Sequence, residues 1–469
     1  MAGHPTLAEL ARGRVPAGAA LAYRPYWWEA APRPAAASAP LPAEADVVIV
    51  GSGFTGLSAA LTLLRKGRRP LVLERDAPGF GASTRNGGQI GSGNQKFRVK
   101  HLIALRGRAK AEAMLREGVR MLDTIAELVA SENISCGFAR CGRFRGAIRP
   151  AHYEAMARDM EDLKALAGVE SFMVPRAEQH REIGSDSFHG GSVLPDDASL
   201  HPGLYHAGLM GRILELGGMV EGHAGVTGIR AEADGYEVAT ARGRVRCRAV
   251  LIATNGYTDG LVPELGRRIV PVGSALIATG EIPEDRFAPL LPAGRVYGNT
   301  NRVFYYFRAA PGERRLVWGG RVGRLVADGT PAAYGHLARD LLAVFPDLSD
   351  IPVTHAWDGR IGYTYDEIPI SAAPARAFTM RSAIAAPASP APPISAARRR
   401  SRSSAIRTAT PPSTTSPSPP IPPPPSPGAP CRWWRPGTAC ATPSTSEKRT
   451  PHDHRHLDGP PQHLVRRRL

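Results

Sequence analysis

The residues of this chain best suited to hold a phosphate are three glycines in the run Gly51-Ser52-Gly53-Phe54-Thr55-Gly56. In that spacing Gly51 permits a tight turn, Gly53 lets the backbone approach a diphosphate, and Gly56 allows a helix to lie close on the preceding strand. The unpaired N–H groups and positive potential at the start of that helix then favour an anion. Glu74 follows Gly51 by 23 residues, where a strand-end carboxylate accepts hydrogen bonds from ribose hydroxyls. With Arg75 beside it, this set predicts a dinucleotide site. A Gly-rich structural turn with an incidental glutamate is the alternative, and it leaves the completeness of the unit unexplained.

The loop needs a strand before it and a helix after it, and the flanking residues supply both. ADVVIVG, from Ala45, has apolar side chains on both faces, as a doubly covered parallel strand requires. LSAALTLLRKG then shows helical spacing with Gly67 as C-cap, and PLVLE is a second buried strand. Residues 100–181 are rich in helical patterns, including the amphipathic AKAEAMLREGVRMLDTIAELVA, and residues 204–219 predict another helix ahead of the strand-like VRCRAVLIATNG. RVFYYFRA, a turn at Pro311-Gly312, and RRLVWGG predict an antiparallel hairpin with Val303, Tyr305 and Phe307 on one face and Phe304, Tyr306 and Arg308 on the other. Ahead of all this, residues 1–40 are rich in Pro and Ala around an aromatic cluster of Tyr23, Tyr26, Trp27 and Trp28, and read as an arm docking its rings on the body.

Composition narrows the class. At 469 residues the chain is long enough for a large core shared by two domains. It contains no uninterrupted apolar stretch of bilayer length, and its first residues lack a leader pattern, so no membrane is expected and the cytoplasm is the default location. Cys136, Cys141, Cys247, Cys431 and Cys440 are too scattered for a disulfide framework or a metal site. The net charge of +17 suggests nucleic acid until it is located. From Ile370 onward there are 15 Lys and Arg against 3 Asp and Glu, leaving +5 for the first 369 residues. The basicity belongs to the tail, so no nucleic-acid partner is expected of the body.

Beyond Glu74, the run GFGASTRNGGQIG (79–91) and the YWWE lead-in resemble the D-amino acid oxidase family, and within it the gamma-glutamylputrescine oxidases. The resemblance spans about residues 20–369 and continues in DASLHPGLYHAGL, LIATNGYT, RRIVPVGSALIATG and HAWDGRIGYTYDEIP. It implies an α/β fold with a Rossmann-type FAD-binding domain and an α+β substrate domain built on an antiparallel sheet. The expected layout is an arm over 1–40, FAD-domain parts over 41–110 and 191–270, substrate-domain parts over 111–190 and 271–354, and a return to the FAD domain over 355–369. FAD, held without a covalent bond, would contact Ser83, Asn86, Gly87 and Gly88 in the first loop, and Ala253, Thr254, Asn255 and Gly256 in the second, with a backbone contact from Val226 to adenine. Arg85 reads as a partner of a substrate carboxylate, a solvated loop arginine or a phosphate contact. Tyr305 and Tyr306 are candidates to wall the pocket, although only one sheet face can look at the flavin. Trp357, His201 and His355 read as structural. The implied reaction is oxidation of a small amine or amino acid by hydride transfer to the flavin, with oxygen or an electron carrier as acceptor. A dehydrogenase and a catalytically dead remnant are the alternatives.

After Pro369 the character changes to Ala, Pro, Ser and Arg, with PPPP at 422–425, and 370–469 is expected to be a disordered tail. The family's glycine-rich flavin loop and its long helix are missing there. Reading the codons of Met380 to Pro390 one nucleotide earlier permits YAIGYCGSGVA, which resembles that loop, and the same shift from Ile370 permits HLG. The tail is therefore expected to be read out of frame.

Overall fold

A computed structural model describes residues 3–34, 40–92, 97–321, 331–365, 370–372 and 380–384. Its first sheet grows from Glu44–Val50, which pairs in parallel with Pro70–Leu73 on one side and with Gly243–Ile252 on the other. Met219–Glu221 extends the sheet beyond Pro70–Leu73. Both faces are covered, as the two-sided apolar pattern requires. On one face Ile49 and Val72 meet the helices Phe54–Leu64, Arg108–Ser131 and Pro202–Glu215 through Leu57, Ile125 and Leu209. On the other, Val48 and Leu73 meet Tyr236 and Val238 of an antiparallel flap, Val226–Glu232 and Gly235–Thr240. The Phe54–Leu64 helix stops where expected: Gly67 is left-handed at φ +65°, its N–H bonds to the Leu64 carbonyl, and the Arg68 N–H bonds to that of Leu63.

The second sheet has eight strands, with Val353–Tyr363, Val270–Thr279, Leu316–Arg321, Tyr305–Ala309, Val296–Asn299, Arg143–Gly146, Gly191–Leu194 and Phe172–Val174 as neighbours in that order. All pairs are antiparallel except Val296–Asn299 with Arg143–Gly146. The expected hairpin is present, with Tyr306 opposite Gly319 and Phe307 opposite Trp318. Alternation along Tyr305–Ala309 sends Tyr305 and Phe307 into a core, where the Phe307 and Trp318 rings stack at 4.2 Å. Tyr306 faces the other way.

Three expected boundaries move. Gly191–Leu194, assigned to the nucleotide domain, pairs in the second sheet. Val353–Tyr363, read in part as a return to the nucleotide domain, pairs along its whole length with Val270–Thr279. A strand's own pattern reports its burial but not which sheet it joins. Within the expected tail, Ile370–Ala372 and Met380–Ile384 are strands, the latter parallel to Gly243–Ile252. The open edge of that strand offers backbone N–H and C=O groups, which pair with little regard to side chains. Residues 366–369, 373–379 and 385–469, with Cys431 and Cys440, lie outside the described residues.

Candidate functional site

The turn after Glu44–Val50 is built on glycines that admit no side chain. Gly51 sits at φ +103°, and a Cβ there would lie 2.8 Å from the Ala253 carbonyl oxygen. A Cβ on Gly56 would lie 2.0 Å from the Gly51 carbonyl oxygen, so this glycine seats the helix on the turn. Between them Ser52 is fully buried and acts as a hub. Its N–H and Oγ–H donate to Glu74 Oε2 at 2.9 and 2.7 Å, its Oγ accepts the Gly79 N–H, and its carbonyl accepts from His206 Nε2 at 2.8 Å. Burial first, then Arg33, pushes the His206 pKa down to about 3, which keeps the ring neutral. Glu74 Oε1 accepts the Arg75 and Asp76 N–H groups at 2.9 and 3.3 Å. The expected ribose acceptor therefore also ties the glycine turn to the following loop. At the start of the helix, the Phe54 N–H is capped from outside by Ser83 Oγ at 2.9 Å.

These elements edge a cleft that opens to solvent. The nucleotide sheet contributes Gly51, Gly53, Phe54, Thr55, Glu74, Arg75, Val226, Ala253, Thr254 and Asn255 to its wall. The 79–91 loop contributes Ser83, Arg85 and Asn86, and the second sheet contributes Tyr306. Of the residues expected here, Ser52, Gly56, Gly87, Gly88, Gly256 and Tyr305 do not line it. The glycines among them are close-approach positions instead. A Cβ on Gly87 would meet the Tyr306 ring at 2.6 Å, one on Gly88 the Leu200 carbonyl oxygen at 2.2 Å, and one on Gly256 the Gly362 nitrogen at 2.8 Å. Tyr305 is buried on the far face against Trp318, with ring centroids 4.8 Å apart, so of the two tyrosines only Tyr306 lines the cleft.

Arg85 lines the cleft and is also bonded within the protein. Its Nε donates to the Phe80 carbonyl at 2.7 Å and its Nη1 to the Asp358 carbonyl at 2.9 Å, while the guanidinium lies 4.5 and 5.0 Å from the Phe80 and Trp28 ring centres. The group is 5% exposed. These bonds clamp the loop to the Val353–Tyr363 strand. Trp357 and His355 are structural as read: the Trp357 indole donates to the Arg85 carbonyl, and His355 pairs with Glu29 at 3.0 Å. Phe80, Tyr257, Ser274, Leu276 and Ile361 line the cleft but were not singled out in the sequence. All five lie in the quoted motif segments, where residue type alone does not report which way a side chain faces.

The arrangement fits a dinucleotide: a helix start behind glycines, a carboxylate closing the neighbouring strand, and the Val226 and Ala253–Asn255 backbone on the same wall. The second sheet supplies a largely apolar opposite wall in Leu276, Tyr306 and Ile361, suited to a flat ring. Among the described residues no helix is long and apolar enough to cross a membrane.

Residues 46–383 match the family described as FAD dependent oxidoreductase. The protein named probable oxidoreductase OrdL of Rhizobium meliloti (strain 1021) is 29% identical over 357 residues, covering 73% of this chain and 79% of that protein. Gamma-glutamylputrescine oxidoreductase of Escherichia coli (strain K12) is 28% identical over 338 residues, covering 69% and 75%. Among solved structures, glycine oxidase from Geobacillus kaustophilus superposes with a TM-score of 0.65 at 18% identity, covering 78% of this chain and 96% of that one. L-proline dehydrogenase from P. horikoshii gives 0.63 at 18%, covering 77% and 95%. The chain belongs to the family of FAD-dependent oxidoreductases.

Proposed function

We propose that this FAD-dependent oxidoreductase oxidises a small amine or amino acid, with a gamma-glutamylputrescine-like compound as the first substrate to test. The observation that carries the reading is the single cleft in which the glycine turn, Glu74 and Tyr306 share one wall system. Bound there, FAD supplies a hydride acceptor for the carbon bearing the substrate amine. Gly53 and Thr55 at the helix start would face its diphosphate and Glu74 its ribose. Ser83 and Asn86 would hold the ring side without a covalent bond. Tyr306, Leu276 and Ile361 would exclude water from the reacting carbon and orient it. Among the described residues, Ser274, Leu276, Tyr306, Gly359 and Ile361 bring no carboxylate or imidazole to the second-sheet wall.

The names of the relatives support an amine donor, and the gamma-glutamylputrescine oxidoreductase among them supports the substrate class. The test is anaerobic mixing of the FAD-loaded protein with gamma-glutamylputrescine, glycine and L-proline, following bleaching of the oxidised flavin band. Rapid bleaching by the first compound supports the proposal, and no bleaching by any amine refutes it. On readmitting air, peroxide formed in step with turnover identifies an oxidase. Turnover that requires an added electron carrier identifies a dehydrogenase. Flavin released by acid precipitation of the protein would establish the non-covalent mode.

A further inference from the structure

We infer that the N-terminal arm, from Ala22 to Arg33, is part of the cofactor site: a strap that fixes the 79–88 loop at the spacing the cleft requires. The inference rests on the reading of the cleft as the FAD site. The loop makes one side of the cleft through Ser83, Arg85 and Asn86, and three indole N–H groups grip it at consecutive residues. Trp28 Nε1 donates to Thr84 Oγ1 at 2.9 Å, Trp357 Nε1 to the Arg85 carbonyl at 2.9 Å, and Trp27 Nε1 to the Asn86 carbonyl at 2.7 Å. Two of the three donors come from the arm. The Arg85 guanidinium also lies against the Trp28 ring and against Phe80, which is itself packed on Trp28.

The arm reaches the glycine turn too. Arg33 Nη1 donates to the Pro78 carbonyl at 3.3 Å and lies 3.4 Å from His206 Nδ1, and His206 in turn holds the Ser52 carbonyl. Arg33 is partly buried there, its Nε fully so, and burial lowers its pKa to about 10. The near end of the strap is fixed to the second sheet. The Ala22 N–H donates to the Thr354 carbonyl, the Ala356 N–H to the Ala22 carbonyl, and Glu29 pairs with His355. Trp27 is fully buried among Leu276, Ala278 and Trp357. One segment thus ties the sheet that carries Tyr306 to the loop and turn opposite it. A buried indole N–H that loses its acceptor keeps the desolvation cost, so the loop's least costly position is the one in which all three bonds are made.

The experiment compares Trp27→Phe and Trp28→Phe in the full chain with Trp318→Phe. Trp318 is fully buried, and its indole nitrogen has no partner among the described residues. Amide exchange is followed in the cofactor-free protein, and the FAD dissociation constant by quenching of flavin fluorescence. In each arm variant the strap predicts about tenfold faster exchange over residues 79–88. It also predicts a dissociation constant raised about tenfold, and for Trp28→Phe exchange unchanged over 270–279 and 353–363. Trp318→Phe should lower the thermal midpoint and leave the loop as it was. Unchanged loop exchange in Trp28→Phe, which is not fully buried and should fold, overturns the strap. Faster loop exchange with unaltered FAD affinity overturns its assignment to the cofactor site. A wild-type chain that takes up no FAD refutes the cofactor reading instead, and exchange in the same cofactor-free protein then decides the strap alone.

Discussion

Glu74, the proposed partner of the ribose, already holds the turn together in the protein itself. Its oxygens accept four N–H or O–H groups from Ser52, Arg75 and Asp76, close to the full capacity of a carboxylate. Glu74→Gln would turn an amide donor toward one of those donors, so we expect a loss of about 1–3 kcal/mol in urea-denaturation stability, together with weaker FAD binding by titration. Arg85→Lys should cost a similar 1–3 kcal/mol, because an ammonium cannot reach two carbonyls and lie against two rings at once. It should leave KM for carboxylate-bearing amines within a few-fold. A tenfold rise in KM at unchanged stability would restore Arg85 to the substrate. The glycines of the turn were legible because no other residue fits their backbone. Arg85 was not, because a guanidinium serves carboxylates and carbonyls alike. For Tyr305 and Tyr306 the sequence showed that they face opposite ways but not which face is the core.

At the scale of elements, the Pro202–Glu215 helix offers a pH test. His201 Nδ1 accepts the Leu204 N–H at 3.1 Å, so only a neutral imidazole can cap this helix. Burial, the largest influence, lowers its pKa from 6.5 to about 4. The unfolded chain binds this proton more readily, so the contribution is complete above pH 6.5 and is lost as the pH falls toward 4. His201→Asn keeps a capping side chain without the titration. Wild type should lose up to roughly 3 kcal/mol more than this variant across that window, measured as urea midpoints, while parallel curves would refute the role. The βαβ unit and the hairpin were legible because each is a local pattern closed by its own turn. The sheet membership of Val353–Tyr363 was not, since its partner Val270–Thr279 lies far away in the chain. The strands Ile370–Ala372 and Met380–Ile384 were invisible because backbone pairing at a sheet edge needs no side-chain signal.

For the whole molecule, the charge is unevenly placed, with +12 of the +17 lying after Pro369. That change of character coincides with a stretch whose codons, read one nucleotide earlier, permit YAIGYCGSGVA. We expect the coding DNA around the Pro369 codon to show the shift, and a chain with the frame restored to retain FAD through purification better than this one. Equal retention by both would count against the shift having functional weight. The adenine, ribose and diphosphate contacts we propose come from Gly51, Gly53, Phe54, Thr55, Glu74 and Val226, so the adenine half of the cofactor should be held whichever tail is present. The decisive measurement is therefore an equilibrium titration of the full chain with FAD, competed by ADP, alongside Gly51→Ala. The structure predicts saturable binding that ADP displaces and that the variant weakens at least about tenfold, since its Cβ would meet the Ala253 carbonyl at a left-handed backbone position. Absence of saturable binding by the wild-type chain, or equal binding by the variant, would contradict the assignment of this cleft to FAD.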